Sequence, residues 1–303
     1  MRMRHIVFAM LLSIPIPAHA QTRPGLPADC EPARVAELPM RLKSGHVTIP
    51  AWVNGKDVTM GIDTGGPYSS LTPAAAHRIG NVGHRDDLRI GDLQLNRVYM
   101  GWMESFPGVD GLIAPDVLGK YDLEIDYGGG MVRLFRPHPC AGRAVTWTGA
   151  YAVLPFTLTD DGHVRVPVAL DGQTVNAVLD TGSPISVLSM QDAGRLFDLS
   201  PHSAHVAKAR TVSGLWSNRS LAPYTFGIWN IPSKTVSAYS YPFDALIIGG
   251  MTLASPPIEL TEGRNFLGHD FATLLLGNDV LSRFHFTIAY RERKIYIADA
   301  GVR

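Results

Sequence analysis

Two aspartates of this chain sit in the same short context. Asp63-Thr64-Gly65 follows Met60-Gly61-Ile62, and Asp180-Thr181-Gly182 follows Ala177-Val178-Leu179. At average composition a given tripeptide should occur on the order of 0.1 times in a chain of this length. Two copies in matching surroundings therefore point to a duplicated half-site. Like charges at close range cannot both ionise cheaply, so two carboxylates brought together share one proton. The ionised member can take a proton from a water, and the protonated member can polarise or protonate a carbonyl. That is the chemistry of amide hydrolysis by an activated water, with Asp63 and Asp180 as the acid–base pair. It requires neither a covalent intermediate nor a metal. Gly65 and Gly182 let each loop turn tightly and approach its partner. The hydroxyls of Thr64 and Thr181 can hydrogen-bond across a pseudo-twofold axis and fix the loops.

The elements that must hold these loops repeat with them. The acids are 117 positions apart (180 − 63), and the same offset lays Gly45-His46-Val47 on Gly162-His163-Val164, Ile49-Pro50 on Val166-Pro167, and Asn54-Gly55 on Asp171-Gly172. After the acids, Pro67, Ser69 and Leu71 fall on Pro184, Ser186 and Leu188. Val47, Ile49, Ala51 and Val53 alternate as a half-buried strand should, and so do Val164, Val166, Val168 and Leu170. Asn-Gly and Asp-Gly are the turns that close a two-residue hairpin. Pro50 and Pro167 cannot donate to a ladder, so each belongs at an edge or a bulge. His46 and His163 recur with the rest, and strand-surface positions account for them. Ser69 and Ser186 lie near the acids, but no histidine in a suitable context makes either a nucleophile.

A later pair repeats at an offset of 163 (279 − 116). Asp116-Val117-Leu118 precedes Tyr121, Leu123, Ile125 and Tyr127, while Asp279-Val280-Leu281 precedes Phe284, Phe286, Ile288 and Tyr290. The second half thus carries 46 more residues (163 − 117) between its acid and its late strand, enough for a covering hairpin. Helical periodicity is scarce, and Pro73–Ile79 and Met190–Phe197 are the short-helix candidates.

The chain has 303 residues, 46% of them hydrophobic, enough for a sizeable core. Lys+Arg and Asp+Glu are both 27, and the lack of a positive footprint excludes a nucleic-acid partner. Arg2 and Arg4, the apolar stretch Ile6–Ile16 and Ala18-His19-Ala20 read as an export signal cleaved after Ala20. The chain is therefore expected to be periplasmic or secreted, with no membrane span once the signal is removed. Residues 21–43 form a lead-in, 44–145 a first lobe and 146–303 a second. The only cysteines, Cys30 and Cys140, are expected to form a disulfide in an exported chain. Closing so long a loop stabilises by about 4–5 kcal/mol in the chain-entropy model. Glu262 with His269-Asp270 lacks a third spaced ligand, so no metal site and no cofactor are expected.

The doubled hydrophobic-Asp-Thr-Gly motif resembles the aspartic protease superfamily, pepsin-like and retroviral-type, and most of all exported bacterial proteins with retroviral-type aspartyl protease domains. Leu275-Leu276-Gly277 matches the hydrophobic-hydrophobic-Gly segment that supports each catalytic loop in that family, and Leu112-Ile113-Ala114 matches it in part. The resemblance implies an all-β, bilobed pepsin/retropepsin-like fold, two duplicated β-barrel-like lobes with a cleft between. It implies endopeptidase activity on peptide or unfolded protein substrates, in a monomer, since both acids lie in one chain. The alternative is a catalytically weak or inactive peptide-binding module on the same scaffold. Ser183 fits the family's hydroxyl donor to the carboxylate and Gly66 does not, so Asp63 is expected to hold the shared proton. Family members close a flap over the substrate. Here the first lobe leaves no room for a long one, and the second offers Val206–Arg219, with Gly214 at the tip and Trp216 against substrate. Tyr99 and Tyr224 are weaker candidates for that contact.

Overall fold

The computed structural model describes residues 32–80, 85–103, 108–137, 140, 142, 144–159, 162–213, 235–262 and 274–302. Gly214, Trp216, Tyr224, His269, Asp270, Cys30 and the export signal lie outside them. Strands dominate, and the only helices among the described residues are short ones, Pro73–Ile79, Pro115–Leu118, Met190–Phe197 and Asn278–Leu281. The two longer helices lie where the sequence places them. Thr72 and Ser189 cap them by accepting from the N–H of Ala75 and Asp192, and Gly80 and Asp198 end them in the left-handed region. None of the helices is long and apolar enough to cross a membrane.

Each half is built on the predicted hairpin. His46–Val53 pairs antiparallel with Lys56–Ile62, and Val164–Leu170 with Gln173–Leu179. Both turns take positive φ at their two central residues, Asn54-Gly55 and Asp171-Gly172. The prolines sit where the other neighbour of each strand changes. Arg41–Lys43 pairs with Thr48, Val47 and His46, and Arg85–Ile90 with Trp52 and Val53, which leaves Pro50 between them with no donor required on that side. Pro167 stands in the same gap, between the partners of Arg165 and Ala169.

The hairpin then delivers the acid. Lys56–Ile62 runs parallel to Gly111–Ile113, and Gln173–Leu179 parallel to Leu274–Leu276. The same late strand is paired on its other side, antiparallel, by the segment that returns from the loop. The loop backbone is locked to the late strand as well: Asp63 N–H donates to the Ile113 carbonyl at 3.0 Å and Asp180 N–H to that of Leu276 at 2.9 Å. The apolar residues Met60, Ile62, Ile113, Leu179 and Leu276 are all essentially buried, so the acids stand on a rigid floor.

The halves also meet in a six-stranded sheet to which both contribute. Asp122–Asp126 pairs antiparallel with Phe284–Ala289, Glu124 facing Thr287 and Asp122 facing Ala289. At the offset of 163, Glu124 is the counterpart of Thr287, and Asp126 of Ala289. The register is therefore symmetric about the Glu124–Thr287 pair, which places the pseudo-twofold axis there. The described part of the lead-in is not loose: Ala33–Pro39 forms the edge of this sheet against Met131–Arg136.

The extra length of the second half can be located by register. Trp52 faces Arg89 and its counterpart Ala169 faces Ile247, so the offset has grown to 158 by this strand (247 − 89). Of the 46 extra residues, 41 (158 − 117) thus fall before it. They include the antiparallel strands Ala207–Ser213 and Thr235–Ser240, which have no counterpart among the described residues of the first half.

One buried carboxyl in the shared sheet should make stability fall with pH. Asp122 is 3% exposed and its Oδ1 has no hydrogen-bond partner. Burial, with Glu292 nearby, raises it to about 7. A carboxyl raised in the folded state contributes no penalty below its unfolded value near 3.8. Stability is lost as pH rises from there through about 7. Asp122→Asn should therefore gain about 1–3 kcal/mol at pH 7.5 and little at pH 4, read by urea denaturation at the two pH values.

Candidate functional site

Asp63 and Asp180 lie side by side at the axis, their carboxyls within hydrogen-bond reach of each other. They retain 8% and 9% exposure, a narrow opening to solvent from an otherwise buried pair. Each carboxylate accepts from the glycine N–H of its own loop, Gly65 to Asp63 Oδ1 and Gly182 to Asp180 Oδ1, both at 2.9 Å. Each also fills the space left by the other loop's glycine. A Cβ on Gly65 would stand 2.2 Å from the Asp180 carboxyl carbon, and one on Gly182 would stand 2.4 Å from that of Asp63.

The threonines tie the loops together in a crossed lattice. Thr64 Oγ1 donates to the Leu179 carbonyl and Thr181 Oγ1 to that of Ile62, both at 2.7 Å. Each hydroxyl also accepts from the opposite threonine's N–H, at 3.2 and 3.1 Å. All four groups are buried, so none has water to replace a lost partner.

Three sets of residues escaped the sequence reading. His46 and His163 are not surface residues: they are 6% and 4% exposed, and each reaches across the axis. His46 Nδ1 bonds the Gly182 carbonyl at 2.7 Å, and His163 Nε2 bonds that of Gly65 at 2.5 Å. Their recurrence at the offset of the acids was the available signal. Ser69 and Ser186 are latches: each donates its N–H and its hydroxyl to an aspartate of the late helix of its half, Asp116 or Asp279. The third is Asn278, whose amide donates to the carbonyls of Thr181 and Gly45 and whose oxygen accepts from Tyr127. It braces the second loop against the first half, and its counterpart Pro115 has no such side chain.

The hydroxyl reading is corrected as well. Ser183 Oγ donates to the Ile185 carbonyl at 2.8 Å, away from Asp180. At Gly66 a Cβ would lie 2.4 Å from Asp63 Oδ2, so a serine does not fit there. Asp63 and Asp180 draw on matched backbone donors instead, Gly65 and Gly182. Burial raises both carboxyls. Asp180 is held well above the ordinary carboxylate range, by burial and then by the Asp63 charge beside it. Asp63 rises through burial but is held back by the Gly65 N–H and by the hydrogen bond from Asp180. The directions of these shifts favour Asp180 as the holder of the shared proton, where the sequence pointed to Asp63. Tyr290, buried with no partner for its hydroxyl, is raised by burial and by Asp63.

Elsewhere, the donor atoms of Glu124, Asp126 and His285 lie within 4.8 Å of one another. Arg133 already bonds Glu124 Oε1, and His285 engages Glu124 and the Val302 carbonyl. The arginine charge occupies the place a cation would need. Ala207–Ser213 pairs with Thr235–Ser240, which begins beyond the expected flap segment Val206–Arg219, and Gly214 and Trp216 lie outside the described residues. Tyr99 is exposed on the strand Leu93–Tyr99.

The crystal structure of an aspartic proteinase from Irpex lacteus is similar to this chain, with a TM-score of 0.51 and 13% identity over 88% of this chain and 97% of that one. No family model matches the chain, and no curated protein matches it by sequence. At this identity the likeness is one of fold. The chain is all-β and has the bilobed pepsin-like fold that the doubled motif implied.

Two stability measurements follow from this packing. Gly65→Ala forces its methyl into the Asp180 carboxyl and should cost about 1–3 kcal/mol, seen as a lower midpoint in urea. Asp180→Asn should do the reverse. A raised carboxyl subtracts stability as pH climbs past its unfolded value of 3.8. The asparagine variant should thus melt higher than the parent at pH 7, with the gap closing near pH 4 in thermal scans.

Proposed function

We propose that this chain is an aspartic endopeptidase that cleaves peptide bonds of extended or unfolded protein segments. The observation that carries the reading is the paired, buried carboxyls of Asp63 and Asp180, equivalent in the repeat and each seated against the other loop's glycine. A water held between them loses a proton to ionised Asp63 as its oxygen bonds to the scissile carbonyl carbon. Asp180 gives its proton to the carbonyl oxygen, so the intermediate is a neutral gem-diol. Asp63 then passes its proton to the amide nitrogen, the C–N bond breaks, and a diol proton returns to Asp180. Each proton is accounted for within the pair, and the crossed lattice holds both acids at fixed separation throughout.

Two features support the reading. Both acids are retained, and the glycines that admit each carboxyl are fitted to the opposite one. One feature favours the second reading, a peptide-binding module: among the described residues the strand pair Ala207–Ser213 and Thr235–Ser240 has no counterpart in the first half. A single assay separates them. Wild type should hydrolyse an unfolded protein at mildly acidic pH, and Asp63→Asn and Asp180→Asn should each lower kcat by about 10²–10⁴-fold while peptide binding persists. Peptide binding without hydrolysis by wild type at any pH from 3 to 7 establishes the module instead.

The same reading takes the chain to be exported, cleaved after Ala20 and closed by a Cys30–Cys140 bridge. Cys30 lies outside the described residues, and no free cysteine occurs among those described. Intact mass of the protein recovered from the periplasm or medium should show Gln21 first and no titratable thiol before reduction. Two free thiols would remove the bridge.

A further inference from the structure

The sheet shared by the two halves has an outer face that the paired acids do not use. Alternation along Asp122–Asp126 turns Leu123 and Ile125 into the core, where Tyr127 follows them and reaches Asn278 behind the second acid loop. Glu124 and Asp126 therefore stand on the opposite face, away from the acids. The segment joining the halves covers part of that face: Trp147 stacks on His285 at 4.4 Å, and its Nε1–H reaches Thr287 Oγ1 at 3.4 Å. Beside it lies a cavity of about 490 Å³, whose lining includes Arg34, Glu124, Asp126, Gly129, Arg133 and Trp147. Small-molecule sites span about 300–1,000 Å³. The turn at the rim is fitted to the cavity. A Cβ on Gly129 would stand 2.2 Å from Asp126 Oδ2, so glycine is what lets the turn close on that carboxylate.

The charges around this cavity balance but are unevenly placed. Glu124 is 1% exposed. Its Oε1 accepts from Arg133 Nη1 and from His285 Nε2, while its Oε2 has no hydrogen-bond partner. The other nitrogen of His285 stands 2.7 Å from the Val302 carbonyl, which can only accept. Both ring nitrogens thus donate, and the imidazole carries a positive charge. Glu37, Glu124 and Asp126 are then matched by Arg34, Arg133 and His285, so no net charge is asked of a ligand. What is asked is a donor at the floor, because a buried acceptor without one costs stability. At the mouth, Arg34 is half exposed and its Nη1 holds Glu37. A guanidinium has further N–H groups to offer a carboxylate.

We propose that this cavity is a second binding site, on the far face of the shared sheet from the paired acids, for a small zwitterion of amino-acid or dipeptide size, its ammonium on the Glu124 and Asp126 carboxylates and its carboxylate on Arg34. A metal ion does not suit the place, since Arg133 already stands among the carboxylates. A zwitterion adds no net charge, supplies the donor that Glu124 lacks and engages Arg34 at the mouth. Bound there, it joins the lead-in strand Ala33–Pro39 to Glu124, at the symmetric centre of the sheet. Under the peptidase reading such molecules are end products of hydrolysis, and that link alone rests on it.

The test uses the full chain and the dipeptide Gly-Leu, with ¹H–¹⁵N NMR following the Trp147 indole N–H, assigned through Trp147→Phe. That signal should shift and saturate below about 10 mM. N-acetylation of the dipeptide, which removes the ammonium, should weaken binding by about 10-fold or more. Gly-Leu amide, which lacks the carboxylate, should bind about 5-fold more weakly than the acid. Arg34→Ala, at an exposed side chain, should weaken Gly-Leu by the same factor and leave the amide unchanged. Glu124→Gln should weaken both, and if it does not fold, Arg34→Ala against the amide carries the contrast. Asp63→Asn should change nothing at Trp147. The proposal is overturned by no saturable shift, by equal binding of the acetylated dipeptide, or by loss of binding in Asp63→Asn but not in Arg34→Ala. A crystal structure with Gly-Leu that shows water alone on Glu124 overturns it too. Binding at Trp147 without peptidase activity in wild type leaves this site standing and overturns the reading of the previous section. Activity without that binding does the reverse.

Discussion

The crossed bonds between Thr64 and Thr181 are the constraint on which the site depends. Each threonine hydroxyl gives its hydrogen to the strand that delivers the opposite acid, and accepts from the opposite backbone. Both partners are buried, so separation of the loops would strand several polar groups at once, at a cost of about 1–3 kcal/mol for each. The lattice therefore sets the distance between two groups that repel each other whenever both are charged. Burial raises both carboxyls, and the Asp63 charge held beside it raises Asp180 further. Stability given up at the pair is recovered in the strands around it, where the Met60, Ile62, Leu179 and Leu276 side chains are buried almost completely.

The second constraint is the sheet that both halves build. Its register is symmetric about Glu124 and Thr287, and the loops cross at Thr64 and Thr181. These two self-matching contacts define one axis, and any rotation of a half about another line would break one of them. Position at the acids is thus fixed by two separate layers of backbone pairing rather than by side-chain packing alone. The buried network of Glu124, Arg133 and His285 occupies the sheet layer. Its composition of matched charges is that of a structural tie.

Much of this was legible in the sequence, because the repeat carried it. Hairpin turns at Asn54-Gly55 and Asp171-Gly172, both longer helices and the two acids follow from local chemistry and one offset. What was misread depends on contacts across the axis. The alternation of Val47, Ile49, Ala51 and Val53 shows which face of the strand is apolar, and so assigns His46 to the other face. It cannot show that this face is covered at its start by a loop 136 residues away, whose Gly182 carbonyl needs a donor. The Ser183 hydroxyl turned to the Ile185 carbonyl for the same kind of reason: backbone geometry two residues on was not readable from residue type. Asn278 was missed because its value lies in bridging Thr181, Gly45 and Tyr127, which no linear pattern brings together.

The symmetric register of the shared sheet has an evolutionary corollary. A strand that pairs antiparallel with its own counterpart about a twofold axis is the kind that two identical chains use to associate. Held as separate subunits, such halves must carry the same residue at every equivalent place. Joined end to end, they are released from that identity. Pro115 against Asn278, Ala114 against Gly277 and, among the described residues, the strand pair Ala207–Ser213 and Thr235–Ser240 found in the second half are differences of that kind. Within one chain, a matched pair of acids is free to sit in unlike surroundings.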